Sequence, residues 1–264
     1  MTLTVDAVST YAARRERARA LGARFAFAQE PLGLYLALVD AQERIHERAR
    51  ADRPDPDDLA AYVVRVALPE VMEAAVAAGT ETLREAALLR FHEGDLEGIV
   101  DAWLRGEDQS GTDTFLARAS ASPVLEALPH VAATLRSGET DDRRCPRCGG
   151  LPQLAVFEDS GEALVTSQRK LVCSRCANEW VLGRMICASC GETAGGKMPI
   201  LSDLDQFPHL RIDACEMCRR YLITVDLRKD PRAVPIVDEI AALPLDFAAA
   251  EREYTKIAPN VMGF

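Results

Sequence analysis

At 264 residues the chain suits one large domain or two ordinary ones, and 48% apolar with 27% charged residues excludes disordered, collagen-like and coiled-coil classes. The net charge of −10 is shared unevenly: residues 1–140 hold 15 Arg, no Lys and 23 acidic residues, and residues 141–264 hold 16 basic and 18 acidic ones. Neither half has the basic excess that would neutralise phosphates, so nucleic acid and an anionic membrane surface are disfavoured partners.

The opening MTLTVDAVSTYAARRER lacks the apolar core of a secretory signal, which predicts a cytoplasmic protein. The most apolar long run, 60–78, contains Arg65, Pro69, Glu70 and Glu73, so no membrane insertion is expected. Apolar residues through the first half recur at helical spacing, as in Leu32, Tyr35, Leu36 and Val39, with Pro31 at a helix start. Asp55-Pro56 reads as an N-cap and first helical residue, Pro69 as a break or kink, and Gly79-Thr80 as a stop and restart. Thr82 with Glu85 has capping-box spacing, and further helices are expected over 95–105 and 123–136. His46, His92 and His130 have no ligand spacing and read as surface or structural residues; nothing in this half carries chemistry.

All eight cysteines lie in the second half, as four C-x-x-C pairs: Cys145/Cys148, Cys173/Cys176, Cys187/Cys190 and Cys215/Cys218. A shift of 42 residues superposes the first four on the last four, so the block is one supersecondary unit used twice. The first pair of each copy is followed by glycine, in CPRCG and CASCG. A chelating C-x-x-C knuckle aims backbone N–H groups at the thiolates and leaves most easily through a residue tolerating positive φ. Strands are expected at 153–158, 170–172, 179–182 and 221–227, with a turn at Asp159-Ser160-Gly161.

Two such knuckles joined by a β-hairpin place four sulfurs tetrahedrally, as in zinc ribbons and rubredoxin. The expected sites are Cys145, Cys148, Cys173 and Cys176, and Cys187, Cys190, Cys215 and Cys218. Pairing within each copy is favoured because the two loops then have equal length, while a crossed pairing of Cys173/Cys176 with Cys187/Cys190 stays open. Four sulfurs suit zinc or iron alike, and a closed shell leaves no position for hydrolytic chemistry. A disulfide framework would need an oxidising compartment, and a thioredoxin-type dithiol would need a following long helix. His209 reads as a surface residue, and Trp180 as a ribbon core aromatic rather than a binding anchor. The ribbon segment 145–228 holds ten basic and ten acidic residues, so it lacks the basic stripe of a nucleic-acid-binding ribbon.

The flanking residues resemble the FdhE family of formate dehydrogenase accessory proteins. The likeness runs through CPRCGGLP (145–152), KLVCSRCANEW (170–180), RMICASCGE (184–192), ACEMCRRYLITVDLRKDP (214–231) and VDEIAALPLDFAAAEREY (237–254). YAARRERARAL (11–21) and PLGLYLALVDAQ (31–42) are similar to that family's opening helices, whereas 43–140 matches only in helical character. The resemblance implies a cytoplasmic assembly factor rather than an enzyme. It would bind the catalytic subunit of a respiratory formate dehydrogenase before export by the twin-arginine route. Its eight cysteines would hold two metal ions, with iron favoured and zinc the alternative. The remaining functional readings are a rubredoxin-like electron carrier and a zinc-ribbon nucleic-acid-binding protein; association into a homodimer stays open.

The expected fold is multidomain α+β: a helical bundle (1–140), a first rubredoxin-like unit (141–185), a second (186–228), and a C-terminal helix and tail (229–264).

Overall fold

The computed structural model describes residues 10–138, 141–158 and 168–264, and the statements below concern those residues. The first half is helical: α1 (Tyr11–Arg24), α2 (Gln29–Asp52), α3 (Leu59–Tyr62), α4 (Leu68–Ala78), α5 (Glu81–Glu93), α6 (Leu96–Arg105), α7 (Gly111–Ala127) and α8 (Pro129–Thr134). Short polar side chains start these helices by accepting otherwise unpaired N–H groups: Thr10 from Ala13, Asp95 from Gly98 and Ser110 from Asp113. Asp55 accepts from Asp57 at 3.0 Å in the turn that Pro56 opens, as expected.

Three details of this half differ from expectation. The cap of α5 is Thr80, which accepts the Leu83 N–H at 3.2 Å, and not Thr82; the helix begins directly after Gly79 ends α4 in an extended conformation. The disturbance at Pro69 is a π-helical turn over Val63–Ala67 within a run that stays helical from Leu59 to Ala78, and this wider turn accommodates the proline without breaking the helix. The helix expected over 123–136 is two pieces, because Pro123 lies inside α7 and the chain breaks only at Leu128. Residue 123 has no N–H to give the Ala119 carbonyl. The Gln42 amide from α2 donates to that carbonyl instead, at 3.2 Å, so the buried acceptor is satisfied.

The second half forms one sheet. Its strands are β1 (Pro152–Phe157), β2 (Arg169–Cys173), β3 (Glu179–Val181), β4 (Ile200–Leu201), β5 (Leu210–Ala214), β6 (Arg220–Asp226) and β7 (Thr255–Lys256). Their order is β3-β2-β1-β6-β5-β4, with β7 beside β6. Each cysteine repeat contributes three antiparallel strands, and the repeats join where β1 runs parallel to β6, Leu154 opposite Ile223 through Phe157 opposite Asp226. Every residue of β1 is buried, as befits a central strand covered on both faces. The turn expected at Asp159-Ser160-Gly161 lies outside the described residues. Two C-terminal helices, α9 (Pro235–Ala241) and α10 (Leu243–Ala250), precede β7.

Apolar clusters weld the halves together. One joins Leu21, Leu32 and Tyr35 of α1 and α2 to Ile212 and Ile223 of the sheet and Val237 and Ile240 of α9. A second joins residues of α2, α4 and α7, including Leu38, Val71 and Leu116, to Cys145, Cys148, Cys173 and Cys176. His209, expected at the surface, is instead 5% exposed, and its Nε2 lies 2.8 Å from Asp238 Oδ1. Asp238 is fully buried on α9 and also accepts from Arg17 of α1 and from the Val234 N–H, so one carboxylate ties three elements. No helix is long and apolar enough to cross a membrane.

Candidate metal centre

The backbone builds four knuckles by one device. In each, the first cysteine's N–H bonds a carbonyl five residues on: Cys145 to Gly150, Cys173 to Asn178, Cys187 to Glu192 and Cys215 to Arg220. The residue after the second cysteine turns the chain with positive φ: Gly149 (72°), Ala177 (54°), Gly191 (81°) and Arg219 (55°). Glycine was legible at the first knuckle of each copy; Ala177 and Arg219 adopt the same conformation despite a Cβ, which no sequence signal announced. Gly150 has a separate reason to be glycine, since a Cβ there would lie 2.9 Å from Cys173 Sγ.

These knuckles bring the sulfurs together within each repeat. Cys145, Cys148, Cys173 and Cys176 form one quartet and Cys187, Cys190, Cys215 and Cys218 the other, all sulfurs of a quartet lying within 4.8 Å of one another. The crossed pairing is excluded by this placement. Sulfur separations are 3.8 Å (Cys145–Cys176), 3.4 Å (Cys148–Cys173), 3.8 Å (Cys187–Cys218) and 3.7 Å (Cys190–Cys215). A tetrahedral metal with bonds of about 2.3 Å places its sulfurs about 3.8 Å apart, so the residues present fit a four-sulfur ion.

Electrostatics agree with that fit. Hydrogen bonds from Cys148, Cys173 and Cys176 hold the Cys145 thiol far below the usual range, while burial pushes Cys173 well above it. In the second quartet burial pushes Cys187 up to about 12, against the backbone N–H groups of Cys190 and Ser189. Crowded sulfurs cannot all ionise on their own, whereas a di- or trivalent cation would hold all four as thiolates.

The two quartets differ in access. All four cysteines of the first are buried between the sheet and the helical half. In the second, Cys190 is exposed and Cys218 half-exposed. Arg143 links the two, pairing with Asp141 and donating to the Ser189 carbonyl of the third knuckle at 3.0 Å. Arg136 donates to the Pro146 carbonyl at 2.9 Å and so fixes the end of the helical half to the first knuckle. Trp180, expected in a ribbon core, is half-buried between the helical core and the sheet's apolar residues, with Nε1 donating to the Asp142 backbone carbonyl at 2.8 Å. A cleft of about 1790 Å³ opens beside the first quartet, with Trp103 and Arg105 on the helical side and Arg175 and Lys256 on the other.

The same architecture is found elsewhere. The crystal structure of the FdhE protein from Pseudomonas aeruginosa superposes with a TM-score of 0.67 at 25% identity, covering 96% of this chain and 95% of that one. The family model described as FdhE, C-terminal domain, matches residues 185–262. The chain is thus similar to FdhE proteins along most of its length, and residues 185–262 carry their C-terminal domain. Among FdhE homologs, that of Pseudomonas aeruginosa is 33% identical over 208 residues, 74% of this chain and 62% of the relative. That of Aquifex aeolicus is 34% identical over 122 residues, 46% of this chain and 41% of the relative. The match therefore spans less than two thirds of either relative's length. The Rhizobium meliloti homolog matches more loosely but further, at 27% identity over 83% of this chain and 74% of the relative.

Proposed function

We propose that the chain is a cytoplasmic accessory factor in the maturation of respiratory formate dehydrogenase. It binds the catalytic subunit of that enzyme before twin-arginine export and is not itself an enzyme. The observation that carries this reading is the match of 96% of this chain to the structure of an FdhE protein. The quartets support a non-catalytic role, because four cysteines saturate a tetrahedral ion and leave no open position for substrate. Cys145, Cys148, Cys173 and Cys176 hold one ion and Cys187, Cys190, Cys215 and Cys218 the other, with iron favoured by the family resemblance and zinc the alternative. The acidic helical half, with 23 acidic residues against 15 Arg, favours a protein partner over nucleic acid.

Affinity purification of the full chain from its own cells, followed by mass spectrometry, tests the reading. The catalytic subunit of formate dehydrogenase is the expected companion; recovery of RNA polymerase or RNA in its place overturns it. A second reading, electron transfer through rubredoxin-like iron, is favoured by the exposure of Cys190 and Cys218. A colourless, zinc-loaded native protein would sink that alternative, since iron–thiolate centres absorb visible light. Light scattering on the same sample shows whether two copies associate.

A further inference from the structure

The third knuckle, which runs from Cys187 to Gly191, is held in place by residues of the first cysteine repeat. Arg143, two residues before Cys145, donates from Nη1 to the Ser189 carbonyl inside that knuckle at 3.0 Å. A Cβ added to Gly191 at the knuckle's exit would lie 3.6 Å from the same nitrogen, so the guanidinium rests against the turn. Arg169, four residues before Cys173 on β2, donates from Nη1 to the Ile186 carbonyl, immediately before Cys187, at 2.9 Å. Between these two contacts Ala188 is 3% exposed and shares one apolar cluster with Ala155 of β1 and Leu171 of β2.

Both arginines are themselves fixed. Asp141 accepts from Arg143 Nε at 2.8 Å, from its Nη2 at 2.9 Å and from its backbone N–H at 2.9 Å, which sets chain and side chain together. The Arg169 side chain is 4% exposed, and its carbonyl accepts the Leu182 N–H at 3.1 Å. The fourth knuckle is anchored differently, by its own repeat and the C-terminal segment. There the Glu216 N–H donates to the Lys197 carbonyl and the Thr255 N–H to the Arg219 carbonyl, each at 2.9 Å. The two halves of the second quartet thus have separate supports, and one support is the chain that leads into the first quartet.

Metal affinity includes the cost of ordering the ligands. An ion in the first quartet fixes Cys145 and Cys173, and with them the short stretches that carry Arg143 and Arg169. The third knuckle is then already placed when the second ion arrives. We propose that Arg143 and Arg169 act as positioning residues that couple the two metal centres, so that filling the first quartet tightens metal binding by the second. The coupling rests on both quartets holding metal, and it is reciprocal: an ion in the second quartet tightens the first by the same factor.

The test is titration of the metal-free full chain with Co²⁺, whose thiolate complexes absorb visible light, against a competing chelator. The affinity of the second quartet is read in the parent, in Arg143→Gln and in Cys145→Ser with Cys148→Ser. Binding about fivefold weaker or more is expected in both variants, the lower end of ordinary coupling between sites. Combining all three substitutions should cost little more than the cysteine pair alone, because the link is already cut. Arg143→Gln keeps all eight sulfurs, so it decides the matter even if the cysteine variant fails to fold. Unchanged second-site affinity in Arg143→Gln overturns the proposal. So does an equal loss from Arg143→Gln with and without the first quartet, which would make Arg143 a local support only. Lys197→Gln, which removes a half-exposed charge paired with Glu192 at the same knuckle, should bind as the parent does. An equal loss there would assign the effect to net charge and overturn the clamp. A parent that takes up no Co²⁺ would refute the metal reading on which the coupling depends.

Discussion

Single residues bear strain and relief that can be measured. Ala177 holds φ +54° at a knuckle exit, a conformation that costs an L-residue about 1–2 kcal/mol. Ala177→Gly should therefore stabilise the protein by about 1 kcal/mol in denaturant unfolding, after the flexibility glycine adds to the unfolded chain is subtracted. Gln42 has the opposite vulnerability. Its amide is what satisfies the Ala119 carbonyl over Pro123, and Gln42→Leu would leave that buried acceptor unpaired. A loss of about 1–3 kcal/mol is expected, and a smaller loss in the double variant that also restores an N–H with Pro123→Ala. His209 belongs to this scale too: it had no local pattern to betray it, because its partner Asp238 comes from a helix that follows in the chain.

At the scale of elements, the two four-cysteine units are alike in backbone and unlike in setting. The first is packed under helices α2, α4 and α7, and the second faces water at Cys190 and Cys218. Cys145→Ser with Cys148→Ser should remove one metal equivalent and lower the melting temperature of the helical half along with the sheet, because metal affinity here is folding free energy. Cys187→Ser with Cys190→Ser should remove one equivalent with a smaller fall in melting. For the same reason a chelator should strip the parent in two phases, the exposed site first. Metal analysis beside circular dichroism reads both, and a single phase or equal melting shifts would refute the asymmetry.

At the scale of the whole molecule, long-range ion pairs and shared cores hold the halves together. Arg17 of α1 reaches Asp230 and Asp238 beyond the sheet, and Arg118 of α7 donates to Gln153 of β1 and to the Pro259 carbonyl. Gln153 in turn donates to Glu239, which pairs with Lys256 at 2.7 Å. Burial raises the Asp230 carboxyl, but the Arg232 N–H and the Arg17 guanidinium outweigh it and hold the group below the usual carboxylate value. A lowered folded-state value means stability present above the unfolded value of about 3.9 and lost as pH falls through the folded one. Asp230→Asn should flatten the loss of stability below about pH 4 relative to the parent in the same metal state, as followed by acid unfolding. Since β1 pairs with β6 across the repeats, the segments 1–140, 141–185, 186–228 and 229–264 are proposed to unfold in one cooperative transition, which calorimetry can check against separate ones.

Local chemistry was readable without coordinates: the helical first half from its 3.6-residue period, the two quartets from cysteine spacing, and the glycine exits from the demand for positive φ. Such features depend on neighbours in the chain, and their signals lie within a few residues or one 42-residue period. Strands β4, β5 and β7 escaped notice because β4 and β7 have two residues each and β5 alternates only over Leu210–Ala214. The parallel joining of the repeats, the burial of one quartet and exposure of the other, and the gathering of Arg184, Arg211 and Arg228 around Phe157 needed the tertiary structure. Each of these depends on which apolar faces meet across long stretches of chain, and hydrophobic burial is non-directional, so spacing alone does not encode the choice of partner.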